Sequence, residues 1–201
     1  ARCLELGASD FVQKPYNQRV VKARINSVIK LKESAAALSA IEYDDLTGLY
    51  TKSAFYYHAG ILMRYKPDQS YVVIIADVKN FKLINNIYGI RVGDDILRYL
   101  AKMMSKALTD GLAARYSDDQ FVMFTSIPKN DFEKYLENAV RYISENAPIA
   151  NLLVKYGVYK DVDKSISISE ICDRAIMAMK SIQLNYEKNI AYYDDQLGQQ
   201  H

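Results

Sequence analysis

Arg115-Tyr116-Ser117-Asp118-Asp119-Gln120-Phe121, with the apolar Val122-Met123-Phe124 behind it, is the stretch on which the fold turns. Polar and small residues stand between two runs of strand-forming character. That pattern predicts a β-hairpin whose turn carries Ser117, Asp118 and Asp119. Asp and Ser are ordinary turn residues, so taken alone the segment is a solvated hairpin tip. Two adjacent carboxylates there nevertheless invite the question of a cation.

Upstream, Tyr71-Val72-Val73-Ile74-Ile75-Ala76-Asp77 is a continuous apolar run of strand length ending in a carboxylate. Without alternation, such a run suits a strand buried on both faces. After it come Val78-Lys79-Asn80-Phe81-Lys82-Leu83-Ile84-Asn85-Asn86, Gly89, Gly93-Asp94-Asp95 and an amphipathic helix with Ile96, Leu97, Leu100, Ala101, Met104 and Leu108 on its apolar stripe. An acid at the end of a central strand, beside an acid on a neighbouring hairpin, is a plausible Mg²⁺ site.

Three blocks together resemble the GGDEF domains of diguanylate cyclases. Asp44-Asp45-Leu46-Thr47-Gly48-Leu49-Tyr50 is similar to the family's opening D-x-L-T-G-L. Asp77-Val78-Lys79-Asn80-Phe81-Lys82, Asn85 and Gly93-Asp94 are similar to its D-x-D-x-F-K-x-x-N-D-x-x-G-H-x-x-G-D, and Arg115 to Phe121 fall where R-Y-G-G-D-E-F stands. The resemblance runs over roughly residues 43–195. It implies an α/β (α+β) fold like the palm of nucleotide polymerases: a central mixed five-stranded sheet flanked by helices. It also implies that two domains, each holding one GTP with Mg²⁺, meet as a homodimer and form cyclic di-GMP. By position, Asp77, the Val78 carbonyl and Asp119 would hold the metal. Lys82 and Lys180 would meet phosphates, and Asn85 and Asp94 would read the guanine edge. Ser117 and Asp118 would line the nucleotide, and Asp119 and Gln120 occupy the catalytic positions of the turn.

The departures from the family pattern are as informative. Ser117 and Asp118 replace two glycines that let the backbone approach the nucleotide. Asp118 adds negative charge beside the triphosphate, and one like-charge contact at about 4 Å and an effective dielectric of about 20 costs roughly 4 kcal/mol. Gln120 replaces a glutamate, Lys79 and Asn86 two aspartates, and Ile90 a histidine. Gln183 and Leu184 stand in place of a G-R-N that would supply a phosphate-binding arginine. Leu108 and Gly111 stand where the product-inhibition motif R-x-x-D belongs. The expectation is therefore a catalytically impaired, GTP-binding regulatory domain. The alternatives are an active cyclase and a dimerisation module without nucleotide.

Around this core, four segments are expected: residues 1–32, 33–42, 43–195 and 196–201. Glu5-Leu6-Gly7-Ala8-Ser9-Asp10-Phe11 with Lys14-Pro15 resembles the C-terminal end of a response-regulator receiver domain. There, Lys14 would contact a phosphoaspartate and Pro15 would follow a cis bond. The phosphoacceptor would lie upstream, so a longer parent chain is expected. Residues 17–41 read as one long helix capped by Asn17. Val21, Val28 and Ala35 share one heptad position, and Arg24, Leu31 and Leu38 another. Its later part serves as a linker. Thr51 or Ser53 is the expected cap of the next helix, Asn130 or Asp131 of a later one, and Asp94 is expected to open the helix that follows the Gly89-to-Gly93 turn. Strands are expected at Leu152–Tyr159 and Ile190–Tyr193, with a helix from Ser169-Glu170 to Lys180 between them. Ile190 to Leu197 resembles the junction that leads into an EAL phosphodiesterase domain.

The net charge of +2 gives no broad electrostatic case for nucleic acid or membrane partners. No apolar run reaches transmembrane length and no signal peptide opens the sequence. Two cysteines, Cys3 and Cys172, without ligand spacing, fit a reducing cytoplasm.

Overall fold

A computed structural model describes residues 18–108, 110–126 and 131–194. The receiver-like segment with Cys3, Lys14 and Pro15, the Asn17 and Asn130 caps and the 196–201 tail lie outside the described residues. The chain divides into two compact units, with the boundary between Glu42 and Tyr43. The first contributes one described helix, α1 (Gln18–Glu42). Along it Val21 and Val28 are half-buried, whereas Ile25, Ile29 and Leu31 are exposed.

The second unit runs β1 (Tyr50–Thr51), α2 (Lys52–Tyr65), β2 (Tyr71–Val78), α3 (Phe81–Tyr88), α4 (Ile90–Ala107), β3 (Gly111–Arg115), β4 (Gln120–Ser126), α5 (Phe132–Glu145), β5 (Val154–Tyr159), α6 (Ile168–Ser181) and β6 (Ile190–Tyr192). The sheet is mixed, as expected, in the order β1-β3-β4-β2-β5-β6. Its centre, β2, is antiparallel to both β4 and β5, while β1 pairs parallel with β3 and β6 parallel with β5. The sheet has six strands rather than five. The extra one, Tyr50–Thr51, is a two-residue strand too short to leave a periodic signal.

All eight residues of β2 are buried, which is why the run lacks alternation. Its even positions, Val72, Ile74, Ala76 and Val78, pack with Ile96, Leu97 and Leu100 of α4 and Leu136 and Val140 of α5. Its odd positions, Tyr71, Val73 and Ile75, pack with Phe55 of α2 and Ile171, Cys172 and Ala175 of α6. Burial pushes the Cys172 thiol up to about 12, which leaves it an inert core group. The close approach of α6 needs Gly157: a Cβ there would stand 2.0 Å from the Ala175 carbonyl oxygen.

Helix ends decide one sequence expectation and correct two. Thr51 caps α2 by accepting from Ala54 N, so of the two candidates Ser53 is inside the helix. Ser167, not Ser169, caps α6, in a reciprocal capping box with Glu170. Asp94 does not open α4: the break is at Gly89, with φ +87°, and α4 begins at Ile90. The turn is therefore confined to Gly89, and Gly93 is a helical, buried residue. Strand β5 starts at Val154, two residues later than expected, and Asp131 caps α5 by position with φ +53° but no side-chain hydrogen bond.

Candidate functional site

Antiparallel pairing of β2 with β4 puts Asp77 directly opposite Gln120, and pairing with β5 puts it opposite Lys155. Three polar residues thus form one row across the α2/α6 face of the sheet. Asp77 is only 8% exposed. Gln120 Nε2 donates to its Oδ1 at 2.8 Å. Burial nevertheless holds the Asp77 carboxyl above the usual carboxylate range, with Gln120 and the nearby Lys79 pulling the other way.

Asp119 sits next to this row. Its carbonyl accepts from Val78 N at 3.2 Å, which fixes the hairpin turn against the end of β2. Its carboxyl is also pushed up, by burial first and then by the negative charges of Asp77 and Asp118. The structure thus brings Asp77 and Asp119 within electrostatic reach of each other. Ser117 and Asp118 are exposed at the tip of the turn.

The turn is held from below by a link the sequence did not reveal. Arg115 donates through Nε and Nη2 to the Asp118 carbonyl, at 3.3 and 2.7 Å, and through Nη1 to Asp44 Oδ2 at 3.2 Å. Asp44 Oδ1 in turn accepts from the Thr47 backbone N–H and hydroxyl. Burial works against the Asp44 charge, but the hydrogen bonds from Thr47 and the Arg115 guanidinium outweigh it and hold the carboxyl below its ordinary value. The Asp-x-Leu-Thr-Gly block is therefore the anchor of the hairpin turn, with Gly48 at φ +70° closing its own loop.

On the other side of Val78, α3 and α4 cross at Gly93. A Cβ on Gly93 would lie 1.9 Å from Asn85 Oδ1, so any larger residue here would displace the Asn85 amide. That Asn85 oxygen is buried with no hydrogen-bond partner among the described residues. Asp94 is half-buried on α4, and Lys82 is exposed on α3. Lys180 is exposed in the last turn of α6. Lys79 Nζ donates to the Gln183 carbonyl at 2.8 Å, drawing the chain after α6 up to the end of β2.

Lys155, which sequence reasoning passed over, is 1% exposed. Its ammonium donates to the carbonyls of Asn185 and Lys188, at 2.6 and 2.5 Å, and to Asn189 Oδ1 at 3.2 Å. Burial and the charge of Lys79 lower its pKa. A lysine inside the apolar run Leu152–Tyr159 was the available signal. A charge in a buried strand requires a built set of partners.

The arrangement offers hard oxygen donors. Asp77, Asp119 and the Val78 carbonyl are the oxygen donors here that could hold a Mg²⁺. No group of three or more His, Cys, Asp or Glu suited to a metal occurs among the described residues. The unpaired Asn85 oxygen fits a ligand hydrogen-bond donor. No helix among the described residues is long and apolar enough to cross a membrane.

Comparison with known proteins bears on this geometry. The family model described as diguanylate cyclase, GGDEF domain, matches residues 41–188. Diguanylate cyclase VdcA of Vibrio cholerae is 33% identical over 104 residues, which make up 48% of this chain and 28% of VdcA. Response regulator PleD of Caulobacter vibrioides is 25% identical over 133 residues, covering 61% of this chain and 29% of PleD. The matched segments thus span under a third of these relatives. Among solved structures, the coiled coil and GGDEF domain of DgcB from Caulobacter crescentus, in complex with c-di-GMP, superimposes with a TM-score of 0.67 at 18% identity. It covers 86% of this chain and 98% of that one. At that identity the likeness is one of fold.

Proposed function

From the premise that this chain belongs to the GGDEF family of diguanylate cyclase domains, we propose that it binds GTP with Mg²⁺ as a regulatory module and cyclises it very slowly or not at all. The observation that carries this is the hydrogen bond from Gln120 to Asp77. A neutral amide occupies the acidic position of the turn and spends itself on the neighbouring acid. One negative charge is thereby removed from the place where phosphoryl transfer needs a firmly held cation. Asp118 meanwhile puts a fixed negative charge at the tip, where a triphosphate would approach.

In this reading Asp77, the Val78 carbonyl and Asp119 hold Mg²⁺, which when bound supplies charge neutralisation of the phosphates. Asn85 and Asp94 accept hydrogen bonds from the guanine edge, and Asn85 supports the reading because its oxygen is buried without a partner. Lys82 and Lys180 meet the phosphates, and Ser117 borders them. The intact protein is a cytoplasmic response regulator that dimerises through like domains, with a receiver-like segment before this domain and an EAL phosphodiesterase domain after it.

Calorimetry with GTP and Mg²⁺ is expected to show binding that Asp77→Ala and Asp94→Ala each weaken by roughly tenfold or more. Absence of binding would leave a dimerisation module. Chromatography of the incubated mixture is expected to show no appreciable cyclic di-GMP. The retention of both Asp77 and Asp119 favours the second reading, an active cyclase, and steady accumulation of product would establish it. Ser117→Gly and Asp118→Gly combined with Gln120→Glu are expected to raise GTP affinity.

A further inference from the structure

Two departures from the family pattern shift the charge at the end of β2 in the same direction. Gln120 removes an acid, and Lys79 puts a cation where an acid would stand. Lys79 has a defined place. Its N–H donates to the Leu153 carbonyl at 2.9 Å, which carries the pairing of β2 with β5 one residue past Val78. Alternation along the strand therefore puts Lys79 on the same face as Asp77, one step beyond it. Its charge is felt there: burial raises the Asp77 carboxyl, and Gln120 and then Lys79 pull against it.

In the free protein this ammonium is only lightly engaged. Nζ donates to one neutral acceptor, the Gln183 carbonyl, at 2.8 Å, in a bond exposed to solvent. Among the described residues Lys79 forms no salt bridge. An ammonium that exchanges a neutral carbonyl for a phosphate oxygen gains a charge-assisted hydrogen bond, roughly twice as strong. The start of α3 adds to the same field. Asn80, at its N-cap, makes no side-chain cap hydrogen bond, so no side chain fills the positive end of the helix beside Lys79. Asn85, on the same helix, lies about 6 Å further along the axis than Phe81, at about 1.5 Å per residue. A nucleoside triphosphate is longer than that, so one whose guanine meets Asn85 brings phosphate groups into range of Lys79.

We propose that Lys79 is a phosphate-binding residue: when nucleotide enters, its ammonium leaves the Gln183 carbonyl for a phosphate oxygen, and a share of the affinity for guanine nucleotides is thereby independent of divalent metal. The inference rests on the GTP-binding reading above and names the fixed cation that serves it. Mg²⁺ on Asp77 and Asp119 strengthens the complex, but the complex forms without it. Lysine suits the task as a compact charge on a flexible stem with three donors. The Gln183 carbonyl passes to water, whereas the carbonyls of Asn185 and Lys188 stay on Lys155.

Calorimetry of the intact chain with GTP, once with Mg²⁺ and once in EDTA, is the first test. Binding in EDTA is expected, weaker than with Mg²⁺. Lys79→Met should weaken the EDTA titration roughly tenfold, and Lys79→Arg should restore most of the loss. Guanosine has no phosphate. Followed through the Asn85 side-chain amide by NMR, it should bind wild type and Lys79→Met alike. With lysine labelled at Cε, the Lys79 resonance, identified by its absence in Lys79→Arg, should move with GTP in EDTA and stay in place with guanosine. Binding that requires Mg²⁺ would overturn this inference and leave the GTP-binding reading standing. So would a Lys79→Met protein that binds GTP normally in EDTA, or one that loses GTP and guanosine equally, since Lys79 would then act only on the fold. No binding of GTP with or without Mg²⁺ would remove both.

Discussion

Asn85 and Asp77 lie on opposite sides of Val78, both were expected to meet a ligand, and the protein treats them in opposite ways. Asn85 presents a buried oxygen that nothing among the described residues satisfies, against a glycine whose absence of a side chain makes the room. Asp77 is already served by Gln120, and Lys79 beside it is spent on the Gln183 carbonyl. One end of the site is left needing a partner, and the other has been supplied from within. On the proposed function, a domain so divided holds a nucleotide more readily than it transforms it, because catalysis draws on interactions that strengthen in the transition state.

The contrast breaks most readily at Gly93. Gly93→Ala drives a methyl into Asn85 Oδ1 and displaces the amide, and overpacking of this kind costs roughly 1–3 kcal/mol. Thermal unfolding should fall accordingly and calorimetry should detect no GTP binding. A Gly93→Ala protein that binds GTP normally would remove Asn85 from the site. Next in size is Gln120→Glu, which replaces a donor by a third carboxylate. Without Mg²⁺ it should lose about 2 kcal/mol, or roughly 4–8 °C in Tm, and Mg²⁺ should restore part of it. A Tm indifferent to both change and ion would show that Gln120 has not altered the cation end.

Arg115→Ala removes the clamp between Asp44 and the Asp118 carbonyl. The ion pair is largely shielded, at 19% and 22% exposure, so a loss of about 1–2 kcal/mol is expected in denaturant unfolding. Because the folded-state pKa of Asp44 is depressed, its contribution is present above the ordinary value of 3.8 and is lost as pH falls through the folded value. The difference between wild type and Arg115→Ala should therefore shrink in acid. The smallest effect is expected at Asp119, where the sign reverses. Its pKa is raised on folding, so its charge opposes folding at neutral pH, and that penalty fades as pH falls through the raised value towards 3.8. Asp119→Asn without Mg²⁺ should raise Tm slightly at neutral pH, with the gain vanishing in acid, while Mg²⁺-dependent GTP binding weakens roughly tenfold.

Much of the architecture was legible because β2 and α4 carry strong local signals: an unbroken apolar run and a stripe of helical period. What stayed hidden was non-local or too brief. Tyr50–Thr51 is a strand only because β3 lies beside it. The start of α4 was misplaced because Gly89 and Gly93 look alike in sequence, although one turns the chain and the other admits a neighbour. Gln120 was legible as a lost acid, but its bond to Asp77 depends on register across strands. The clamp from Asp44 through Arg115 joins blocks 71 residues apart.

Lys155 has a consequence of its own. The segment from Asn185 to Asn189 is gathered around an ammonium that is covalently part of the chain. A loop organised by a dissolved ion loosens when that ion is chelated or diluted, whereas the group that gathers this one cannot dissociate from the chain. Its conformation is thereby uncoupled from the supply of divalent metal, and EDTA should leave its amide exchange unaltered even where it empties the acids on β2 and the hairpin.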